Sequence, residues 1–247
     1  MNLFYVQKSQ VSEQNVQIIG DDVNHIKNVL RMKIGEKIQV CDMEGTDYLC
    51  QIEEISPKEV IADIISKEPT QTELPAKVYL FQGLPKKDKM DLIIQKMVEL
   101  GVYEVVPVSM KRCVVKIEDK KKEAKKLERW QSISESAAKQ SKRGMIPEVT
   151  SVISFKEAIN KMKELDINFF AYENAEGISH TRKMIEESKS AKTIGIIVGP
   201  EGGFDDPEVT LLQEAGIMPI TLGKRILRTE TAGFTMMAAL MMELEQD

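Results

Sequence analysis

Short apolar runs separated by turns fill the first 68 residues. Leu3–Val6, Val16–Ile19, Lys37–Asp42, Tyr48–Ile55 and Val60–Ile65 are each rich in β-branched residues. Gly35-Glu36, Met43-Glu44-Gly45-Thr46 and Ser56-Pro57-Lys58 mark turns between them. Five short strands with tight turns predict a small β-barrel. Asp21–Leu30 interrupts the pattern with a short helix that Asp21 or Asp22 can cap. Pro69–Pro75 is polar and bounded by proline, the signature of a linker, so the expected division is residues 1–70 and 71–247.

From Ala76 strands alternate with helices. Val78–Gln82, Glu104–Val108, Phe169–Tyr172, Ile194–Val198 and Pro219–Thr221 read as strands. Lys86–Leu100 reads as a helix with Met90, Ile93, Ile94 and Met97 on one face, closed by Gly101. Lys120–Lys142, Phe155–Lys163, Ile178–Ser188 and Thr231–Glu245 read as further helices, and Asp205-Asp206-Pro207-Glu208 opens one that continues through Val209–Glu214. This alternation predicts an α/β fold whose mostly parallel sheet is covered on both faces.

Two strand exits carry candidate chemistry. The apolar run Ile194–Val198 stops at Gly199-Pro200-Glu201-Gly202-Gly203, and a helix follows. A strand, a glycine turn and a helix N-terminus allow backbone to approach a ligand closely. The loop lacks the Lys-Ser/Thr of a phosphate-binding P-loop, and its spacing is not that of a dinucleotide fingerprint. The second exit is Leu222-Gly223-Lys224-Arg225-Ile226-Leu227-Arg228, followed by a helix rich in Met and Ala.

Charge sharpens the picture. The net charge is −5, which argues against general affinity for nucleic acid, but residues 111–143 hold twelve Lys or Arg against five acids. Such a stripe is either a local RNA-binding surface or a solvated helix face. No apolar run approaches the roughly 20 residues of a membrane helix, and the N-terminus lacks signal-peptide features; a cytoplasmic protein is expected. Cys41, Cys50 and Cys113 have no metal-like spacing and read as reduced structural thiols. With His25 and His180 the only histidines, a histidine-metal site is not expected, and His180 reads as a surface residue.

Gly199–Phe204 (GPEGGF) followed by Leu222–Ala232 (LGKRILRTETA) resembles the C-terminal half of the SPOUT-class RNA methyltransferases, in particular the bacterial family that methylates N3 of a uridine in 16S ribosomal RNA. Lys86–Pro107, Ser109–Val115, Ala137–Arg143 and His25–Arg31 extend the resemblance over nearly the whole chain. It implies a deep trefoil knot in the C-terminal domain, a PUA-like N-terminal barrel that grips RNA, and a homodimer acting on 16S rRNA or the small ribosomal subunit. It also implies S-adenosylmethionine bound by Gly199, Pro200, Glu201, Gly202, Gly203, Leu222, Gly223, Ile226, Leu227 and Thr231, with no metal. The sequence departs from the family in having Asn2-Leu3 before Phe4-Tyr5, where an arginine is usual. It also has Lys139 and Lys142 where an acid and a glycine are expected.

Uridine N3 carries a proton and is a poor nucleophile, so its methylation calls for a base or for cationic donors near the base edge. Arg228 is the first candidate for that cation. Glu230 is either the base or positioning acid, or a carboxylate favoured by the N-terminus of the last helix, with Thr229 as its cap. Glu201 either fixes the glycine loop or touches substrate, and Ile226 and Leu227 either wall the adenine or pack in the core. His25, Arg31, Arg112, Lys121, Lys122 and Arg143 are candidates for RNA contact, Arg31 alternatively a pin between domains. The rival functions are a nucleotide-binding protein using GPEGG, a non-catalytic ribosomal RNA-binding module, and a methyltransferase of the same class acting on a 2′-hydroxyl or another base.

Overall fold

The computed structural model describes residues 1–115 and 119–245. Lys116 and Glu118, counted above in the basic stripe, lie outside the described residues. The chain forms two compact units, residues 1–73 with 138–146, and residues 74–137 with 147–247.

The first unit is a curled five-stranded sheet. Its strands are β1 (Leu3–Tyr5), β2 (Asn15–Ile19), β3 (Lys37–Cys41), β4 (Thr46–Ile55) and β5 (Glu59–Pro69), in the order β1-β3-β4-β5-β2. Only the β1–β3 pair is parallel. Register shifts between β4 and β5, at Leu49/Cys50 and Ile52/Glu54, bend the long hairpin as bulges do. The alternation seen in sequence buries Val16, Ile18, Ile38, Val40, Cys50, Ile52, Val60 and Ala62 on one face. Burial pushes the Cys41 and Cys50 thiols up to about 12, so both stay protonated and unreactive at neutral pH.

Three local expectations are corrected here. The helix after β2 is only α1 (Asp21–Asn24), continued by one π-turn at His25–Val29; its N-cap is Gly20 at φ 77, with no side-chain cap. Strand β5 runs on to Pro69 and absorbs the start of the expected linker. The rest of that linker is tied down, because Glu73 accepts from Arg143 Nε (2.9 Å) and from the Gly144 N–H (2.8 Å). Residues 138–146 are held in this unit by further bonds: the Tyr5 hydroxyl donates to Arg143 O at 2.5 Å, and Lys139 pairs with Asp22 at 3.5 Å. Lys142 sits at φ 57, a left-handed conformation that favours the glycine expected there.

The second unit is a sheet in the order β12-β10-β11-β6-β7-β8, with every pair parallel. Its strands are β6 (Lys77–Gly83), β7 (Glu104–Ser109), β8 (Glu148–Val149), β10 (Ile167–Ala171), β11 (Thr193–Val198) and β12 (Met218–Ile220). The two-residue β9 (Ile153–Ser154) pairs beside β8 on β7; β8 and β9 are too short to announce themselves in sequence. The helices are α2 (Lys89–Glu99), α3 (Lys120–Ser141, of which residues 138–141 belong to the first unit), α4 (Phe155–Met162), α5 (Ile178–Glu187), α6 (Asp206–Glu214) and α7 (Thr229–Leu244). Ile194, Ile196, Ile197 and Val198 are all buried, as expected where a parallel strand is covered on both faces. Met90, Ile93, Ile94 and Met97 of α2 are buried as their periodicity predicted. Helix α2 starts three residues later than expected, because Lys87 turns at φ 56.

Asp42 anchors the β3–β4 turn of the first unit. It accepts from Lys8 Nζ (2.6 Å), from the Tyr48 hydroxyl (3.1 Å) and from the N–H groups of Glu44 and Thr46 (2.9 and 3.0 Å). Burial opposes its charge, yet these donors outweigh burial and hold the carboxyl below its usual range. A depressed folded-state value contributes stability above the unfolded-state value, which is lost as pH falls through the folded one. In thermal unfolding, Asp42→Asn is therefore expected to lower the melting temperature most at neutral pH. The gap to the parent protein should narrow below about pH 4.

Candidate functional site

Because β12, β10, β11 and β6 are parallel neighbours, their exits line up along one edge of the second unit. In an open α/β sheet, this is the edge where ligands bind. The glycine loop leaves β11 here and the second loop leaves β12. The segment starting at Tyr172 leaves β10 between them.

The glycine loop closes on itself. The Gly203 N–H donates to Pro200 O at 2.8 Å, and Gly203 turns at φ 66. A Cβ on Gly199 would lie 3.1 Å from the Gly203 carbonyl carbon. At β6, a Cβ on Gly83 would lie 2.7 Å from Pro200, so only glycine lets the two strand exits touch. Beneath the loop, Phe204 meets Phe170 edge to face at 5.7 Å. The opening of α6 is held by Glu208, a buried carboxylate that accepts from the N–H groups of Asp205 and Lys111, each at 2.8 Å.

Arg112, expected on RNA, lies against this loop. Its Nη1 donates to Gly202 O (3.0 Å) and its Nη2 to Asp205 (3.3 Å). Arg143, also expected on RNA, is only 3% exposed, with its guanidinium on Glu73. A guanidinium buried against a carboxylate is a structural pair rather than an open phosphate ligand. His25 and Arg31 are exposed on the first unit, Arg31 at φ 51, and Lys121 and Lys122 are exposed at the start of α3.

The second loop is pinned at its base. The Thr181 hydroxyl of α5 donates to Thr221 O (2.9 Å) and accepts from the Thr221 N–H (3.1 Å). Gly223 then turns at φ 108. Leu222 and Leu227 are half-buried, but Ile226 is 87% exposed, so core packing does not account for Ile226. Arg228 is exposed at the N-cap of α7, and Thr231 is exposed in its first turn.

Thr229 does not cap α7 as expected. It is the first residue of the helix, and its buried hydroxyl joins three segments. The hydroxyl donates to Gly199 O at 2.6 Å and accepts from Gln82 Nε2 at 2.9 Å. The start of α7 thus crosses the exits of β6 and β11. Glu230, the next residue, lies 3.1 Å from Lys89 Nζ of α2, and the same ammonium lies 3.1 Å from Glu201. The Lys86 N–H also donates to Glu201, at 3.1 Å. Burial raises the Glu201 carboxyl, but the N–H groups and Lys89 reverse that and leave it below its usual range.

Sequence reasoning missed Lys89, Gln82, Glu208 and the β10 exit. Gln82 carried a readable signal, a lone polar residue closing an apolar strand. Lys89 carried none, as one of three lysines in the four residues 86–89. Among the described residues, no three of His, Cys, Asp and Glu converge as a metal site, and no helix is long and apolar enough to cross a membrane.

Residues 72–241 match a family model described as an RNA methyltransferase domain, and residues 18–65 match an RNA methyltransferase PUA domain. The chain is similar to the ribosomal RNA small subunit methyltransferase E of Bacillus subtilis, with 38% identity over 96% of this chain and 94% of that protein. It is 33% identical to the protein of the same name from Aquifex aeolicus, over 98% of this chain and 99% of the other. Among solved structures, a ribosomal RNA small subunit methyltransferase E from Neisseria gonorrhoeae bound to S-adenosyl methionine superposes with a TM-score of 0.85. That similarity carries 34% identity and covers 98% of this chain and 97% of that one.

Thr229→Val keeps the shape of the side chain but strips Gly199 O and Gln82 of their shared partner. Losing a buried hydrogen-bonding hub of this kind costs about 2 kcal/mol. Urea unfolding should show that loss, with Thr229→Ser close to the parent protein; an unchanged midpoint for Thr229→Val would remove the junction from the account of the fold.

Proposed function

The chain belongs to the RNA methyltransferase family, and on that premise we propose that it methylates N3 of a uridine in 16S ribosomal RNA, using S-adenosylmethionine. The observation that carries the reading is the meeting of both glycine-bearing loops at one strand edge, with Arg228 and Glu230 on either side of the buried Thr229. We place the division of labour near the expected boundary, with residues 1–70 as the RNA-gripping unit and residues 71–247 as the catalytic one.

The site fits the cofactor. Glycines at 199, 202, 203 and 223 let the backbone of both loops approach a ligand closely, and Leu222, Ile226 and Leu227 supply apolar walls. Pro200, Glu201 and Thr231 complete the set assigned to it. When bound, the cofactor supplies the electrophilic methyl and its leaving group. The chain's own task is to align the nucleophile, exclude water and manage the proton on N3. Arg228, an exposed cation at the N-cap of α7, stabilises the negative charge that develops on the uridine carbonyls as N3–H is lost. Glu230 is held by Lys89 and acts as an acceptor that orients donors at the base edge.

RNA contact falls to separate surfaces of the two units: His25 and Arg31 on the first, and Lys121, Lys122 and Lys125 along α3 on the second. Arg112 supports the glycine loop from the side and serves the cofactor more than the RNA; Arg143 serves the fold. The target base lies in a loop or leaves its stack, since N3 is sealed by pairing in a helix. We propose a homodimer working in the cytoplasm, with no metal. The dimer is supported by the exposed Ile226 of the second loop and by Met242 of α7, which is 78% exposed.

Calorimetry with S-adenosylhomocysteine, and ATP as control, tests the cofactor. Selective binding supports the reading, and ATP binding in its place overturns it. Arg228→Ala is expected to lower kcat on small-subunit RNA by about 100-fold, the usual loss for one donor to a developing oxyanion. Affinity for S-adenosylhomocysteine should change little, and intact methylation by a folded variant would remove Arg228 from the mechanism.

Reversing Lys121, Lys122 and Lys125 to Glu should weaken RNA binding. It should also flatten the dependence of log K on log salt by about 2, as expected for three lost phosphate contacts on single-stranded RNA. An unchanged slope would make α3 a solvated face.

A further inference from the structure

Lys89 is the first residue of α2 and stands where three distant segments meet. Its ammonium lies 3.1 Å from Glu201 of the glycine loop and 3.1 Å from Glu230 of α7. The three side chains are 27%, 24% and 13% exposed, respectively. We propose that Lys89 is a positioning residue of the methyl-transfer site, a clamp whose single ammonium holds the carboxylates of both Glu201 and Glu230 in place. The proposal rests on the methyltransferase reading above.

Two carboxylates turned toward one point repel each other, and at this degree of burial solvent screens them poorly. One ammonium between them converts that repulsion into attraction and fixes the distance from the glycine loop to the first turn of α7. Burial works against the charge on Lys89, but its two carboxylate partners more than compensate, and its proton is held more tightly than usual. Glu201 keeps a second anchor in the Lys86 N–H, so the glycine loop does not depend on Lys89 alone. The ammonium is the one charged partner found for Glu230 among the described residues, an ionic contact in which the buried Glu230 Oε2 makes no hydrogen bond. Glu230 is two residues from Arg228, on the same turn. Displacing it therefore moves the end of the site where charge develops more than the end where the cofactor sits. The clamp accordingly acts on turnover more than on cofactor affinity.

The test compares Lys89→Met and Lys89→Arg with the parent protein in single-turnover and steady-state methylation of small-subunit RNA. Hydrogen–deuterium exchange is followed in peptides covering 199–205 and 229–235. The expected result for Lys89→Met is a fall in kcat of about tenfold or more, with the KM for S-adenosylmethionine within about threefold. Exchange should rise in both peptides together, and Lys89→Arg should recover most of kcat. Wild-type turnover in Lys89→Met, an arginine variant as slow as the methionine one, or a rise in KM that accounts for the whole loss would each overturn the clamp. If the parent protein itself transfers no methyl group, the methyltransferase reading fails. The clamp is then judged on exchange alone, a joint rise upholding it and no change in either peptide overturning it. Lys89→Gln replaces Lys89→Met, with the same readouts, should the latter not fold.

Discussion

The hydroxyl of Thr229 is a small group on which much of the second unit depends. It donates to the carbonyl where β11 ends and accepts from the amide of the last polar residue of β6. Those two strands are neighbours in the middle of the sheet, and α7 is threaded against both of their exits at once. Gly83 allows the approach, because any side chain there would collide with Pro200. The arrangement carries a cost: Gln82 Oε1 remains buried without a hydrogen-bond partner, and such an atom is destabilising in an apolar surround. The compensation is positional. Residues 228 and 230 flank the pinned threonine, so the cation and the carboxylate proposed for methyl transfer inherit its placement.

Charge is used differently in different parts of this chain, and burial decides which use applies. Arg143 and Arg112 have the same donor fork. Arg143 is buried on Glu73 and closes the 138–146 segment onto the first unit. Arg112 is half-exposed and braces Gly202 and Asp205. The lysines at the start of α3 face water and supply local positive potential on a chain of net charge −5, the condition under which an acidic protein can still attract phosphate. The carboxylates divide in the same way. Glu208 holds the backbone of a helix start, Asp42 holds a turn, and Glu201 and Glu230 share a lysine.

The departures from the family pattern have consequences within the first unit. At Lys142 a side chain is placed in a backbone conformation that glycine adopts without strain. At Lys139 the chain has a cation where an acid is expected, and Asp22 lies opposite it at 3.5 Å. The two sites lie in the segment that Glu73 and Tyr5 fix to the barrel. That segment is tied by the carboxylate of Glu73, by the carbonyl of Arg143 and by the Lys139–Asp22 pair, so the cation at 139 joins in holding it.

Periodicity in the sequence determined most strands and helices of both units, since alternation and 3.6-residue repeats report directly which faces are buried; the two-residue β8 and β9 and the π-turn after α1 escaped it. The abrupt change from a β-branched run to Gly199-Pro200-Glu201-Gly202-Gly203 determined where β11 ends and a glycine loop begins, because glycine at a strand exit is a backbone requirement that local sequence expresses. The resemblance carried by the two C-terminal motifs gave the family. Tertiary structure alone decided what the polar side chains do. Thr229 reads locally as a helix cap, yet it bonds to residues 147 and 30 positions away. Arg143 reads as an RNA ligand, yet a carboxylate 70 residues earlier buries it. Lys89 is one lysine in a run of them until a carboxylate from the glycine loop and one from α7 close on it. Propensity and patterning describe a residue's neighbours along the chain, whereas a charge or a hydroxyl is defined by its partner in space, and that partner is chosen by the crossing of strands.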